Sequence, residues 1–497
     1  MTLLSHPRIA AMCRWLAAAA LATACQPDEQ VLAARAVPDA SPVARVTDVI
    51  FSPQLAADSH NARVAQIIGE AERTLDIAMY SLSDADVLAA LAAAVLRGVE
   101  VRMLFETASE DRKLSGDALQ RSKSGELERD GVDVRWVNKI MHHKFMLVDG
   151  PRDALDTAAR GFLVTGSANW SYGAATIYDE NTLFLRGHDE LMLRMQREFE
   201  HLWAHSRDFV GDPDLASRPS TLAIEDAAIV DGPETHAYFT SANFDVRGGD
   251  TFVVNGGDEI GDALVAAIAG ATRSIHLASG HLRLRAVAEA LIARAAEDPA
   301  LDIRVYLDGQ EFIAESTHDK QVGALEDCLA AAGDDPADRR ACEDRGFLHG
   351  FAVGEAGVAV RYKYYAYRWH ASYAQQMHHK YMVIDGDELW TGSYNLSSNA
   401  EHNTFENMLV FRGAGSAALV DRYEQNFAAI WDTGRDDGAL AALHAEIAAG
   451  GAIPLVFPAM ALTHPEVHDL KQQIRQACPA VDSPDFRARP QAHRRCE

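Results

Sequence analysis

The chain has 497 residues, 48% of them hydrophobic and 24% charged, a balance that excludes wholesale disorder, a collagen-like repeat and a polytopic membrane protein. At roughly 100–200 residues per domain this length predicts two to four domains. The formal charge of -26 opposes long-range attraction to polyanions such as duplex DNA, so any phosphate the chain handles must be held by a local positive site.

Residues 1–24 carry Arg8 and Arg14 without an acidic residue, followed by the apolar run Leu16 to Ala24, the pattern of a secretory signal peptide. Ala22-Thr23-Ala24 stands where a signal peptidase would cut. With Cys25 these residues resemble a bacterial lipobox, although Leu21 lies one place further upstream than that pattern prefers. The expectation is an exported protein of the cell envelope, in the periplasm, on the outer membrane through a lipidated Cys25, or secreted. Residues 25–45 then form a linker. Removing Cys13 with the signal and Cys25 to lipid leaves Cys328, Cys342, Cys478 and Cys496, an even set for an oxidising compartment. Local disulfides Cys328–Cys342 and Cys478–Cys496 are the natural pairing, and sequence alone leaves the crossed pairings open.

A first half, residues 46–210, opens with the strand-like runs VTDVIF and TLDIAMYSL, the amphipathic helix ADVLAALAAAVLRG ending on Gly98, and the strand VEVRMLF. GVDVRW and MHHKFMLVDG (Met141 to Gly150) follow, then a polar insert between Asp149 and Gly166, then GSANW and the pair Glu180–Asn181. A linker at 211–232 leads to a second half, residues 233–437, in which these features return in order except for the insert, which the first half alone carries. SIHLASGHL, RAVAEALIARAAE and LDIRVYLDG precede GVAVRY, then MHHKYMVIDG (Met377 to Gly386), GSYNL and Glu406–Asn407. Strand, helix, strand in both halves predicts βαβ units, and with them an α/β fold of two related halves, each a mixed, largely parallel sheet flanked by helices. Residues 438–497 read as a helical tail. In the second half the segment RYKYYAYRWH (Arg361 to His370) reads as an aromatic and basic loop beside the repeated motif.

Side chains alternate along a strand, so His142 and Lys144 share one face and His143 takes the other; His378, Lys380 and His379 repeat this. The vicinal histidines invite zinc, but adjacent strand residues face opposite sides and no cluster of ligand spacing accompanies them. No metal and no cofactor is expected. Two His, two Lys and two Asn together offer a nucleophile, a proton donor and polar groups able to hold an anion.

The repeated H-x-K-(x)4-D followed by G-S-x-N resembles the phospholipase D superfamily of duplicated-motif phosphodiesterases, at His142, Lys144, Asp149, Gly166, Ser167 and Asn169, and again at His378, Lys380, Asp385, Gly392, Ser393 and Asn395. The likeness runs from about Val46 to Thr433. It implies that one imidazole attacks phosphorus while the other protonates the departing alcohol, with His142 as nucleophile and His378 as acid. Lys144, Lys380, Asn169 and Asn395 would hold the phosphoryl oxygens, and Glu180 and Glu406 would each fix the tautomer of its histidine. Asp149 and Asp385 are expected to be structural, and Ser167 and Ser393 either to reach the phosphate or to cap the following helix. Each half supplies one imidazole, so the halves must face one phosphorus across a pseudo-two-fold axis, as a monomer that imitates a dimer.

The acidic charge, the expected lipid anchor and the lack of a basic tail favour a phospholipid at a membrane surface over nucleic acid. A non-specific nuclease is the alternative. A phosphatidyl transferase of the cardiolipin-synthase type is a second alternative, and an envelope protein that only binds a partner is a third.

Overall fold

The protein is described as a computed structural model, which covers residues 44–209, 222–225, 228–229, 234–365, 374–435, 438–449, 457–477 and 484. The signal, Cys25, Cys478 and Cys496 lie outside these residues, as do both ends of the 211–232 linker and the second half of the aromatic segment, from residue 366.

The first half contributes strands β1 (Val46–Ser52), β2 (Thr74–Met79), β3 (Glu100–Phe105), β4 (Asp133–Trp136), β5 (Ile140–Met141), β6 (Lys144–Val148), β7 (Phe162–Gly166), β8 (Glu180–Arg186) and β9 (Arg207–Asp208). The second contributes β10 (Thr235–Phe239), β11 (Phe244–Arg247), β12 (Thr251–Val254), β13 (Ser274–Ser279), β14 (Asp302–Asp308), β15 (Ala359–Tyr364), β16 (Lys380–Ile384), β17 (Glu388–Gly392), β18 (Thr404–Phe405), β19 (Asn407–Arg412) and β20 (Met460–Leu462). They build two eight-stranded sheets of the same connectivity, β1-β8-β7-β6-β2-β3-β4-β9 and β10-β19-β17-β16-β13-β14-β15-β20. The expected α/β fold of two related halves is what the sequence forms.

Two details differ from the sequence reading. Parallel pairing is confined to β2-β3-β4 and to β13-β14-β15 within these sheets, and the remaining neighbours are antiparallel. In the second half the chain returns from β16 to β17 through residues 385–387 alone, a connection that antiparallel strands allow and parallel ones do not. The segment beyond residue 437 is also not helical throughout. Its β20 pairs with β15 and covers what would otherwise be an open sheet edge.

Strands buried on both faces carry the core. Leu75, Ile77, Ala78 and Met79 of β2 are all fully enclosed, and each large side chain so buried contributes roughly 1.5–3 kcal/mol relative to exposure. One core lies on the outer face of each sheet. A third joins the halves, with Leu147, Leu183 and Phe199 meeting Leu389, Leu409 and Phe411. The helix Asp189–Ala204 packs on β10 and the helix Ala417–Trp431 on β1, so each half's last helix lies against the other half's first strand.

Asp149 and Asp385 end the His-x-Lys strands in the left-handed region, with φ of 51° and 56°. The carboxylate compensates for that strain, which is of order 1–3 kcal/mol. Asp149 accepts from the backbone N–H groups of Glu72, Arg73 and Thr74, and Asp385 from those of Thr272, Arg273 and Ser274. Each carboxylate thereby ties the end of its His-x-Lys strand to the start of the neighbouring strand. The expected Cys328–Cys342 disulfide is also present, linking the helices Glu315–Ala332 and Pro336–Glu343 with Cα atoms 5.8 Å apart.

Candidate active site

The two His-x-Lys segments meet at the junction of the halves, and the backbone itself is exchanged there. β5 pairs in parallel with β18 of the other half, and Asp179 bridges Met377 in the same sense. His142 N donates to Phe405 O at 3.2 Å and His378 N to Asp179 O at 3.0 Å. Two buried or half-buried carboxylates fix the residue before each histidine. Glu106 accepts from Met141 N at 2.7 Å and Asp308 from Met377 N at 2.9 Å.

The side chains cross in the same way. His378 Nδ1 lies 2.6 Å from Glu180 Oε1 in a hydrogen bond. His142 Nδ1 lies 2.7 Å from Glu406 Oε1, approaching it off the line of a hydrogen bond. Each glutamate therefore attends the histidine of the opposite half, not its own as the sequence reading had it, because β8 begins at Glu180 and β19 directly after Glu406, both at the interface. With Nδ1 of both rings turned to a carboxylate, Nε2 is the atom left for chemistry.

The vicinal histidines repeat the exchange one residue on. His143 Nδ1 accepts from Asn407 Nδ2 at 3.0 Å, and His379 Nδ1 from Asn181 Nδ2 at 3.1 Å. His143 Nε2 faces Glu198 at 3.2 Å, and Thr391 donates to Asn181 Oδ1 at 3.1 Å across the interface. The His-His and Glu-Asn pairs of the repeat thus form two reciprocal clasps. Sequence reasoning left Asn181, Asn407, His143 and His379 without a role, although their repetition was the signal.

Lys144 and Lys380 donate from Nζ to the carbonyl oxygens of His142 and His378, at 2.7 and 2.8 Å. They are enclosed, with exposures of 2% and 1%. Burial pulls Lys144 down to about 7 and Lys380 to about 8 while both glutamates oppose the fall. Burial pushes Glu180 and Glu406 up to about 7, against the pull of both lysines. Burial, then Lys144, Lys380 and His378, hold His142 well below its usual range. Burial and the same two lysines do so for His378. The two histidines, two lysines and two glutamates form one electrostatic cluster drawn equally from both halves.

Ser167 and Ser393 do not cap the helices that follow, one of the two roles expected of them. Ser167 Oγ accepts from Asn181 N at 2.9 Å and Ser393 Oγ from Asn407 N at 3.0 Å, while Ser171 and Ser397 cap the helices that follow. Gly166 and Gly392 let those strands touch, since a Cβ would lie 2.3 Å from Asn181 O and 2.2 Å from Asn407 O. Asn169 and Asn395 occupy corresponding half-buried positions, each with Oδ1 enclosed and without a hydrogen-bond partner among the described residues. The front of the aromatic segment is not a loop. Arg361 and Lys363 lie in β15, where Arg361 bonds Asp432 and Lys363 makes a buried pair with Asp179 at 2.7 Å. Residues 366–373 lie outside the described residues. No cluster of His, Cys, Asp and Glu among the described residues is grouped to hold a metal ion.

Comparison with known proteins gives a family match over residues 64–203 and 264–431 to the cardiolipin synthase, PLD-like domain. A mitochondrial cardiolipin hydrolase of Xenopus tropicalis is 32% identical over 149 residues, 29% of this chain and 62% of that protein. A phospholipase D of Rickettsia felis is 31% identical over 124 residues, 24% of this chain and 54% of that protein. The chain therefore spans between half and two thirds of the length of these relatives. Among solved structures, a phosphatidylserine synthase of Haemophilus influenzae aligns over 76% of this chain and 86% of its own, at 11% identity and a TM-score of 0.47. Nuc of Salmonella typhimurium, a phospholipase D family member, aligns over 33% of this chain and 98% of its own, at 24% identity and a TM-score of 0.27.

Proposed function

The chain belongs to the phospholipase D superfamily, in the family of the cardiolipin synthase PLD-like domain, and from that premise we propose that it hydrolyses the headgroup ester of a phospholipid to phosphatidic acid. As a member it is a phospholipase D-like phosphodiesterase or transferase; the lipid, the direction and the mechanism are the proposal. The observation that supports it best is the exchange of carboxylates, His142 with Glu406 and His378 with Glu180, around two buried lysines.

In this reading, Nε2 of neutral His142 attacks phosphorus while its Nδ1–H stays on Glu406. The bond from phosphorus to the headgroup oxygen breaks, and His378 Nε2–H gives that oxygen its proton. The burial that lowers His378 works against its protonation in the free enzyme, and the arriving phosphodiester anion offsets this by adding negative charge beside it. Lys144 and Lys380 stabilise the charge that builds on the non-bridging oxygens. Water then loses a proton to His378 and displaces His142, releasing phosphatidic acid. Asn169 and Asn395 are assigned to the same oxygens by the motif they share with the family.

The N-terminal pattern at residues 1–24 and Cys25 supports export and a lipid tether, which would keep a monomeric enzyme beside its substrate. Among the described residues no helix is long and apolar enough to cross a membrane. The test is incubation of the purified protein with phosphatidylethanolamine or phosphatidylcholine in EDTA and ethanol. Phosphatidic acid and phosphatidylethanol should both form, because an alcohol intercepts a covalent phosphatidyl-enzyme. Plasmid degradation with intact lipid would select the nuclease instead. Cardiolipin formed from phosphatidylglycerol would select the transferase.

A further inference from the structure

The pseudo-two-fold symmetry of the centre is broken where the sheets deliver the chain to it. β2 ends at Met79 and is followed by Tyr80 and Ser81, and β13 ends at Ser279 and is followed by Gly280 and His281. Strand register makes these segments equivalent, since Met79 stands opposite Lys144 and Ser279 opposite Lys380. Tyr80 N and Gly280 N donate to His143 O and His379 O, both at 3.1 Å.

The first half closes its side with a ring. Tyr80 packs edge-on against His142 with centroids 4.7 Å apart, and Lys144 Nζ lies 5.0 Å from the same ring. The second half cannot do so, because a Cβ on Gly280 would already stand 3.0 Å from Met377 O and 4.0 Å from His378 Cδ2. The approach beside His378 is left without a side chain at that position.

The next residue brings chemistry in its place. His281 Nδ1 lies 3.0 Å from Glu311 Oε1, a carboxylate only 1% exposed that also accepts from Arg283 Nε at 2.9 Å and Nη2 at 2.6 Å. Burial raises Glu311, but these bonds from His281 and Arg283 outweigh it and hold the carboxyl below its ordinary value. A carboxylate on Nδ1 leaves Nε2 as the open position of a half-exposed ring, and Nε2 makes no hydrogen bond to a described residue. His281 lies within electrostatic reach of both His142 and His378. The first half has Ser81, Ser83 and Ser109 at the corresponding places, so this third Glu–His pair belongs to one side only.

We propose that His281 binds the leaving group, its Nε2 accepting a hydrogen bond from an O–H or N–H on the alcohol that departs past His378. This rests on the proposed reading in which His378 is the acid. The substrate class that follows is a phosphodiester whose leaving alcohol carries a further hydrogen-bond donor. Glycerol and ethanolamine headgroups carry one; choline does not.

The test compares the full-length protein with His281→Ala and Glu311→Gln on phosphatidylglycerol, phosphatidylethanolamine and phosphatidylcholine in the same mixed micelles. Wild-type kcat/KM should favour the first two lipids. In His281→Ala the ratio of either to phosphatidylcholine should fall about tenfold, as loss of one hydrogen bond of roughly 1–1.5 kcal/mol would give, and Glu311→Gln should lower it in the same direction. A wild type without that preference, or a ratio that His281→Ala leaves unchanged because all lipids lose equally, would overturn the proposal. If no lipid is cleaved while bis(4-nitrophenyl) phosphate is, the lipid reading fails on its own. The same ratio is then taken on glycerophosphoglycerol against glycerophosphocholine, with the same two outcomes for His281.

Discussion

Glu180 Oε1 stands 2.6 Å from His378 Nδ1, although the two residues lie in opposite halves of the chain. Neither half pairs its own His142 or His378 with its own Glu180 or Glu406, so each of these imidazoles is oriented only when the other half is docked. Glu180→Gln and Glu406→Gln should each lower kcat on lipid by roughly 10²–10⁴-fold, as amide replacement of an orienting carboxylate does elsewhere, with far-ultraviolet circular dichroism unchanged. The roles separate on bis(4-nitrophenyl) phosphate, whose leaving group departs without a proton. Glu180→Gln, which disturbs the acid, should keep a burst of nitrophenol; Glu406→Gln, which disturbs the nucleophile, should lose it. The reverse pattern would exchange the roles of His142 and His378.

The same cluster sets a pH window. Catalysis needs Glu180 and Glu406 ionised and Lys144 and Lys380 charged, yet burial brings the carboxyls up to about 7 and the ammonium groups down to about 7 and about 8. Activity should fall on the acid side as the carboxyls gain protons and on the alkaline side as the lysines lose theirs. A kcat/KM profile should therefore be a narrow bell centred near 7, its limbs belonging to the coupled cluster and not to single residues. Bound phosphodiester adds negative charge beside the lysines, so the alkaline limb of kcat should lie above that of kcat/KM. A profile flat from about pH 6 to about pH 9 would contradict this assignment.

The repeat made much of this legible, because identical residues at identical spacing in two halves force equivalent positions. His142, Lys144, Glu180 and their counterparts could be named from the sequence, and the cluster contains all of them. Partnership could not be read. Nothing in the spacing from Asn169 to Glu180 says that Glu180 reaches His378, since that follows from the meeting of two sheets far apart in sequence. Periodicity also misjudged the sheets. The helix between β2 and β3 announces a parallel pair, while β6, β7 and β8 are short apolar runs whose direction no pattern of side chains reveals. His281 was hidden for the opposite reason: it stands where the repeat stops repeating.

His143 faces away from the chemistry, as alternation requires, but its destination is the interface. Its ring is fully enclosed between Asn407 and Glu198, and Glu198 in turn accepts from Ser241 of the second half at 2.6 Å. His143→Ala should destabilise the fold by about 2–4 kcal/mol, since it leaves a cavity and two buried polar partners unsatisfied. Asn407→Ala should cost a similar amount, and the double variant less than the sum, with a coupling of roughly 0.5–3 kcal/mol. Urea unfolding midpoints of the single and double variants measure it. Strict additivity would mean that the two side chains do not hold each other.

The disulfide holds a part of the molecule that packing does not. The helix Glu315–Ala332 buries none of its residues, and the following Pro336–Glu343 buries only Cys342. Polar ties fix the pair to the body, from Arg340 to Gly256 O at 3.0 Å and from Gln321 to Leu348 O at 2.9 Å. Cys328 and Cys342 are 14 residues apart, and closing a loop of that size is worth about 3 kcal/mol in chain entropy. That stabilisation falls on the hairpin, because neither sheet crosses the bond. Reduction, or Cys342→Ser, should therefore open residues 315–343 to limited proteolysis while the main thermal transition of the two-sheet body stays within a few degrees. Glu311 is held by Arg283 and by the backbone of Leu282, outside the loop that the bond closes, so the nicked protein should keep its preference among leaving groups. Cleavage spread over both halves after reduction would show instead that the hairpin supports the sheets.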